Sequence, residues 1–211
     1  MKRSETNPTG RFHSIIPLLL LLSAGIFISF NNDKDNPIPM PNNNNNRSYA
    51  YLMVKYKTPD FIKEFQSKID PNDLYIVGDE YGIEIDQHVT LVPALGNDTD
   101  LGQLKTYLRD LSDYEIELTD ISMFDNDAFD VLKANVRSEA IMETYKRITK
   151  DFKTFYSYDF APHMTIAYMK NGKAEKYLTT NLSTSVHLEP EYFYYSFFDE
   201  NGDNHVIRFT K

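Results

Sequence analysis

Two short motifs with the same pattern, His-x-Thr followed by an aliphatic residue, are the parts of this sequence best suited to chemistry. The first is His88-Val-Thr90-Leu and the second is His163-Met-Thr165-Ile. Each lies in an apolar stretch typical of a β-strand, in which residues two apart point to the same side. Each histidine therefore shares a strand face with a threonine, and the aliphatic residues lie beneath.

Two such histidines facing one cleft can cleave a phosphodiester bond. One imidazole takes a proton from the attacking hydroxyl or water, and the other gives a proton to the leaving oxygen. The two threonine hydroxyls can donate hydrogen bonds to the non-bridging phosphate oxygens, where charge develops. We predict a catalytic set of His88, Thr90, His163 and Thr165, against the alternative of two structural histidines. The His-x-Thr spacing is not that of a metal site, so we predict no metal and no cofactor.

The elements that must position these motifs alternate between strands and helices. Helices are expected after Thr58, from Leu101 to Leu111, and after Ser138, each with an apolar stripe. If the two halves of the chain pack about a pseudo-two-fold axis, the two His-Thr pairs meet in one cleft. Strands are expected at residues 48–57, 74–77, 88–95, 114–124, 131–136 and 162–169, and as a hairpin within 191–209.

Two further residues are candidates for substrate binding. Tyr51 and Lys55 lie on the same face of the first strand as Met53. If that face lines the cleft, Tyr51 can stack against a base and Lys55 can contact a phosphate. The alternative is a packed tyrosine at the rim and a solvated lysine. Strict alternation places Tyr168 opposite to His163, which predicts a core residue.

Composition and charge narrow the range of ligands. The chain has 211 residues, 22 Lys and Arg against 31 Asp and Glu, and a net charge of −9. This balance argues against long duplex nucleic acid and favours a small anionic ligand in a local cleft. Cysteine is absent, which excludes disulfides, a cysteine nucleophile and cysteine-based metal sites.

The first 47 residues differ from the rest of the chain. Residues 15–30 form an apolar run that follows basic residues, which predicts an uncleaved membrane anchor, against the alternative of a cleaved signal peptide, within a leader of residues 1–30. Residues 31–47 are rich in Asn and Pro and predict a linker. The globular catalytic domain is expected at 48–211. The basic flank places the N-terminus in the cytoplasm and the domain across the membrane. Alternatively, translation starts at Met40 and gives a soluble cytoplasmic protein.

At the two motifs the sequence resembles the 2H phosphoesterase superfamily, which is named for its two His-x-Thr/Ser motifs. Within it, the chain resembles the phage anti-CBASS nucleases, which destroy cyclic oligonucleotide signals of bacterial antiviral defence. Supporting segments are Tyr81-Gly-Ile-Glu84, Pro162-His-Met-Thr-Ile-Ala-Tyr168 and Lys170-Asn-Gly-Lys173. The resemblance covers residues 48–211. It implies a two-lobed α/β (α+β) fold, with a concave cleft between antiparallel sheets and helices outside. It also implies the same four catalytic residues.

The sequence therefore leads to three functional hypotheses. The first is a metal-independent phosphodiesterase that hydrolyses small cyclic nucleotides or oligonucleotides. The second is a 2′,3′-cyclic phosphodiesterase that acts on RNA ends with the same four residues. The third is a membrane-tethered nucleotide-binding module without turnover, against which the presence of both His-Thr pairs argues. The apolar leader departs from what an intracellular nuclease requires.

Overall fold

The computed structural model describes residues 49–77, 80–96, 98–155, 159–179, 186–199 and 203–209. The predicted anchor at residues 15–30 and the linker at 31–47 lie outside these ranges and stay predictions. Among the residues described, no helix is both long enough and apolar enough to cross a membrane.

The described chain contains ten strands and three α-helices, joined by short turns and 3-10 segments. The helices are α1 (Asp60–Ser67), α2 (Leu101–Lys105) and α3 (Glu139–Asp151). The strands are β1 (Tyr49–Tyr56), β2 (Ile76–Val77), β3 (Glu80–Tyr81), β4 (His88–Gly96), β5 (Ile116–Phe124), β6 (Phe129–Arg137), β7 (His163–Lys170), β8 (Val186–Leu188), β9 (Pro190–Phe198) and β10 (Asn204–Phe209).

Two four-stranded antiparallel sheets form the body of the protein. The first has the order β10-β9-β1-β4 and the second has the order β7-β6-β5-β8. The strands β4 and β7, which carry the two motifs, are each at an edge of their sheet and contact one another. The predicted mixed α/β fold with antiparallel sheets is confirmed.

The main hydrophobic core lies on the sheet faces opposite to the histidines. Val89 and Leu91 of β4 belong to it, as do Met164 and Ile166 of β7. Helical residues complete it, among them Ile62, Leu104, Ile141 and Ile148. The apolar residues that alternate with His and Thr in each motif are buried in this core. Both polar pairs therefore face away from it, as the alternating pattern predicts.

A β-bulge follows the threonine of each motif. On β4, Thr90 pairs with Met53 but Val92 pairs with Leu52, so Leu91 is the extra residue. On β7, Thr165 pairs with Lys133 but Ala167 pairs with Leu132, so Ile166 is the extra residue.

The bulge at Ile166 overturns the prediction that Tyr168 points away from His163. Beyond the bulge the alternation is reversed, so that Tyr168 pairs with Val131 on the face that carries His163. Tyr168 is fully buried, but it packs in a separate cluster with Phe129 and Val131 rather than in the main core.

The second expected helix is also shorter than predicted. It ends at Lys105, and Leu111 begins a separate 3-10 turn that runs to Tyr114. Leu108 and Leu111 still pack against the core, although the backbone there is no longer α-helical. Their helix-like spacing in the sequence therefore reflects burial and not a continuous helix.

Candidate active site

The structure brings the two His-Thr motifs together between the sheets. His88 and Thr90 lie on β4, and His163 and Thr165 lie on β7. The histidines are only 5% and 6% exposed, respectively, and both threonines are buried. The two strands contact one another, and the pKa of His163 is lowered chiefly by burial, with smaller contributions from Lys133 and His88.

The chain between α1 and β4 explains why His88 lies beside β7. The Glu84 amide donates to the carbonyl of Ile166 at 3.0 Å, which ties this segment to β7 four residues before His88. The Gln66 side chain donates to the carbonyl oxygens of both Glu84 and Ile166, at 2.7 and 3.0 Å. The start of β4 is therefore fixed against the edge of β7.

Each histidine ring is held by the same local hydrogen bond. Nδ1 of His88 lies 2.6 Å from the carbonyl oxygen of Asp86, and Nδ1 of His163 lies 2.9 Å from that of Ala161. A carbonyl oxygen only accepts, so in each ring Nδ1 carries the hydrogen. In the neutral form Nε2 is then the basic nitrogen of both rings, which is the arrangement a proton acceptor requires.

An aromatic ring packs beside each imidazole. The Tyr194 ring meets His88 at a centroid distance of 6.2 Å and an interplanar angle of 77°. The Phe124 ring meets His163 at 5.1 Å and 90°. These edge contacts restrict each imidazole to one orientation and exclude water from one side of it.

Burial disfavours the charged form of both histidines. It lowers the pKa of His88, although the Asp86 carboxylate and carbonyl act in the opposite direction. It also lowers the pKa of His163, to about 3, and Lys133 and His88 lower it further against the Ala161 carbonyl. Both rings are therefore neutral at pH 7 without ligand. A bound phosphate anion would favour protonation, which is what a general acid needs.

The two predicted substrate-binding residues lie on the first sheet, on the face that carries His88. Lys55 is the direct strand partner of His88 and forms an ion pair with Asp86. Tyr51 is 6% exposed and packs with Met53 and Tyr194, and this burial raises its pKa to about 12. Contact with substrate stays a prediction for both.

A polar network on the second sheet was not found from the sequence. Lys133 donates to Ser122 Oγ at 2.7 Å and to Asn135 Oδ1, and Asn135 donates to Asp120 at 2.7 Å. Lys133 is the strand partner of Thr165, and Asn135 is that of His163. The signal was present: Lys133 and Asn135 are polar residues two apart in an apolar strand, as are His and Thr in each motif.

Each sheet carries further aromatic side chains on the face that carries its histidine. On the first sheet, Tyr192 lies beside Tyr194, and Arg208 lies 4.4 Å above the Tyr192 ring. On the second sheet, Tyr75 and Tyr81 pack on the cluster that contains Tyr168. Partly exposed rings of this kind can stack against bases.

Glu84 is a buried carboxyl group near His88. Its Oε1 accepts from the Asp86 amide at 2.8 Å, and Oε2 has no hydrogen-bond partner among the described residues. Burial raises the pKa of Glu84 to about 8, and Asp86 raises it as well, against the Asp86 amide and Lys55. The carboxyl group is therefore mostly neutral at pH 7.

Replacing Glu84 with Gln is expected to stabilise the protein at alkaline pH only. The folded state keeps a proton that an unfolded glutamate releases above about pH 4.5. Stability should thus decline as pH rises from about 4.5 to 8 and level off above that. Gln cannot ionise, so the Tm of Glu84→Gln should exceed that of the wild type by several degrees at pH 9 and match it at pH 5.

Thermal unfolding from pH 5 to pH 9 measures this effect. Glu191→Gln, at an exposed glutamate, is the control and should leave the shape of the wild-type curve unchanged. Parallel Tm curves for the wild type and Glu84→Gln would contradict a neutral buried carboxyl group.

Within the described ranges, no group of three or more His, Asp or Glu side chains is arranged to hold a metal ion.

Comparison with known structures returns proteins of low sequence identity. Usb1 of Kluyveromyces marxianus is 8% identical, with 78% of this chain and 99% of that chain covered and a TM-score of 0.49. LigT of E. coli, solved with 3′-AMP, is 13% identical, with 78% and 96% covered and a TM-score of 0.47. TT0787 of Thermus thermophilus is 14% identical, with 77% and 95% covered and a TM-score of 0.45. No curated protein matches the sequence.

Comparison with protein families gives a match to the 2′-5′ RNA ligase superfamily over residues 84–194. The match covers more than half of the 211 residues and contains both His-x-Thr motifs. The chain therefore belongs to the 2′-5′ RNA ligase superfamily, the two-histidine (2H) phosphoesterases.

Proposed function

We propose that this protein is a metal-independent phosphodiesterase that hydrolyses small cyclic nucleotides or oligonucleotides by two-histidine acid–base catalysis. The observation that carries the proposal is the repeated site. Two buried imidazoles, each fixed through Nδ1 to a carbonyl, sit beside two threonines on adjacent strands. Membership of a superfamily that acts on phosphoester bonds supports the same reaction type.

The reaction needs one proton to move at each end of the scissile bond. Nε2 of one neutral imidazole accepts the proton of the attacking hydroxyl, whose oxygen forms a new bond to phosphorus. The bond to the leaving oxygen breaks with its electron pair, and that oxygen takes a proton from the other ring, which enters as imidazolium. Thr90 and Thr165 donate to the non-bridging oxygens as charge develops. With water as nucleophile, the products are a phosphomonoester and an alcohol.

The charge of the protein favours a short substrate over long RNA. The net charge of −9 repels an extended polyanion, whereas Lys55, Lys133 and Arg208 lie on the cleft-facing sides of the sheets. The aromatic rings beyond each histidine can receive bases on either side of the scissile phosphate. A cyclic oligonucleotide fits this arrangement, and its destruction would counteract cyclic-nucleotide antiviral signalling.

A second candidate is opening of 2′,3′-cyclic phosphates at RNA ends. The family match favours it, because the superfamily takes its name from RNA 2′-5′ ligation. It would use the same four residues, with water attacking the cyclic phosphate and a ribose oxygen leaving.

A substrate panel separates the two candidates. The purified protein is incubated with EDTA and with cyclic dinucleotides, cyclic trinucleotides and nucleoside 2′,3′-cyclic phosphates, and the products are resolved by mass. Ring cleavage that is lost in His88→Ala supports the proposal. Turnover of the 2′,3′-cyclic phosphates alone supports RNA-end processing. Binding without any turnover would contradict both and leave a binding module.

Replacing Thr90 or Thr165 with Val is expected to lower kcat by about 10²–10³-fold, as loss of one hydrogen bond to the developing charge typically does. Valine has nearly the same shape, so packing is kept while the hydroxyl is lost. Steady-state kinetics on the substrate identified in the panel measures the effect. Thr165→Ser keeps the hydroxyl and should retain most of the activity. Full activity in both valine variants would exclude the hydroxyls from catalysis.

A further inference from the structure

Both lobes have the histidine, the threonine, the β-bulge and the hydrogen bond from the imidazole to a backbone carbonyl. They differ in the charged groups beside the histidine. The strand neighbours of both motifs include a lysine, Lys55 on β1 and Lys133 on β6. Among the described residues, only the first of these lysines is neutralised by a direct ion pair. This difference distinguishes two histidines that the motifs alone leave equivalent.

The surroundings of His163 carry an unneutralised cation. Lys133 is 5% exposed and lies with its ammonium 4.5 Å above the Phe124 ring, which packs perpendicular to the His163 ring. Its hydrogen bonds go to the neutral groups of Ser122 and Asn135. Lys133 forms no ion pair with any residue that the structure describes.

One carboxylate still influences Lys133, but indirectly. Asp120 accepts a hydrogen bond from Asn135, which separates it from the ammonium group. Burial lowers the pKa of Lys133 to about 8, and Asp120 opposes this. The lysine is therefore mostly charged at pH 7. Among the described residues, the groups that face His163 include the neutral amide of Asn135 on β6, the Phe124 ring on β5 and His88 on β4.

The surroundings of His88 have the opposite character. The Asp86 carboxylate lies two residues before it and binds Lys55, so that the lysine charge is cancelled locally. Tyr194 on β9 adds a neutral phenol, and the carboxyl group of Glu84, which is mostly neutral at pH 7, lies in the same cluster. His163 is a further titratable neighbour. An imidazolium at His88 thus lies beside an ion pair whose carboxylate favours it and whose lysine opposes it, whereas one at His163 lies beside a cation without an ion-pair partner among the described residues.

We propose that Lys133 is a positioning residue that sets the direction of proton transfer, so that His163 is the general base and His88 is the general acid. This inference rests on the proposed phosphodiesterase function. The neutral Nε2 of His163 accepts the proton of the nucleophile as its oxygen bonds to phosphorus. The leaving oxygen keeps the electron pair of the broken bond and takes the proton from Nε2 of His88. The cycle ends with His163 protonated and His88 neutral, and solvent restores both.

The first test of this proposal does not depend on turnover. NMR follows the imidazole Cε1–H signals of His88 and His163 from pH 2 to pH 8 in the wild type and in Lys133→Met, which keeps the length of the buried chain. Removing the cation should move the titration of His163 to higher pH by about one unit. Lys63→Met, at an exposed lysine of α1, is the control and should not move it. Superimposable His163 curves in the wild type and Lys133→Met would overturn the proposal.

The second test reads the direction of proton transfer directly. A nucleoside 3′-(4-nitrophenyl phosphate) has a leaving group that departs without a proton. His88→Ala should therefore recover about 10²-fold or more of its lost activity on this ester relative to an alkyl ester, and His163→Ala should recover none. The reverse pattern overturns the assignment while leaving two-histidine catalysis intact.

Failure of the proposed function gives a different result. If the wild type cleaves neither ester, the proposed phosphodiesterase function fails, whereas the NMR shift still tests the action of Lys133 on His163. Thermal unfolding shows whether Lys133→Met is folded. Lys133→Gln, a smaller change to the hydrogen bonds with Ser122 and Asn135, provides a second charge-free variant for both measurements.

Discussion

Alanine at either His88 or His163 is expected to reduce kcat by about 10²–10⁴-fold, because each ring is proposed to transfer one of the two protons that the reaction moves. The double variant should lose little more than the worse single variant, since residues that act as a unit are not additive. Binding should persist, because the lysines and aromatic rings on the cleft-facing sheet faces remain. Measurement of kcat, together with the Kd of a phosphorothioate analogue that resists cleavage, separates these effects.

The matched controls are the two exposed histidines of the folded domain. His187 and His205 are about half exposed and pair with Glu115 and Asp199 at the surface. Alanine at either position should leave kcat and KM within about twofold of the wild type. Comparable losses in His187→Ala and His88→Ala would indicate a general effect of histidine removal. Unchanged kcat in His163→Ala would contradict the two-histidine mechanism.

The strand faces of the two motifs could be predicted because burial enforces the alternation. An apolar residue on each side of Thr90 or Thr165 leaves only one face for the polar pair. The main core contains Leu91 and Ile166, and both threonines point to the other face. The fold class could be predicted for the same reason, because the spacing of apolar residues in each stretch indicates a buried strand or helix face.

The side chains beyond the bulges could not be predicted by alternation. A bulge adds one residue to one strand, and an aliphatic residue at that position is indistinguishable in sequence from an ordinary strand residue. Tyr168 was assigned to the wrong face for this reason, although its burial was expected. The register between strands, which produced the error, depends on pairing partners far apart in the chain.

The charged groups around the histidines are brought together by the tertiary structure, so the sequence predicted only some of them. Lys55 was recognised because strand alternation places it on the same face as Tyr51 and Met53. Its partner Asp86 was not, because that contact joins β1 to the segment before β4. The spacing of Lys133 and Asn135 was visible in the sequence, but it does not show whether the lysine is buried or lies at the rim, and only the structure shows that Lys133 is buried. The difference in charge between the surroundings of the two histidines therefore emerges only from the assembled sheets.

Tyr114 is expected to be the residue outside the cleft with the largest effect on stability. It is fully buried in the main core, where its ring meets Phe193 of β9 at 4.8 Å and 85°. Its carbonyl accepts from the Tyr56 hydroxyl of β1 at 2.7 Å, and its own hydroxyl shares a 2.7 Å hydrogen bond with Thr144 of α3. One residue thus joins the first sheet to the long helix. Its position in a 3-10 turn, rather than at a strand start, makes both contacts possible.

Tyr114→Ala should destabilise the protein by about 3–5 kcal/mol, because it leaves a large cavity and deprives Thr144 of its partner. The corresponding loss in Tm is about 10 °C. Tyr114→Phe removes only the hydroxyl and should cost about 1–2 kcal/mol. Urea unfolding at constant m-value measures both. Since Tyr114 lies in the core on the far side of the sheet from His88, kcat per folded molecule should stay unchanged in both variants. A fall in kcat without a loss of stability would contradict a purely structural role for Tyr114. Equal stability of Tyr114→Ala and wild type would contradict the packing described above.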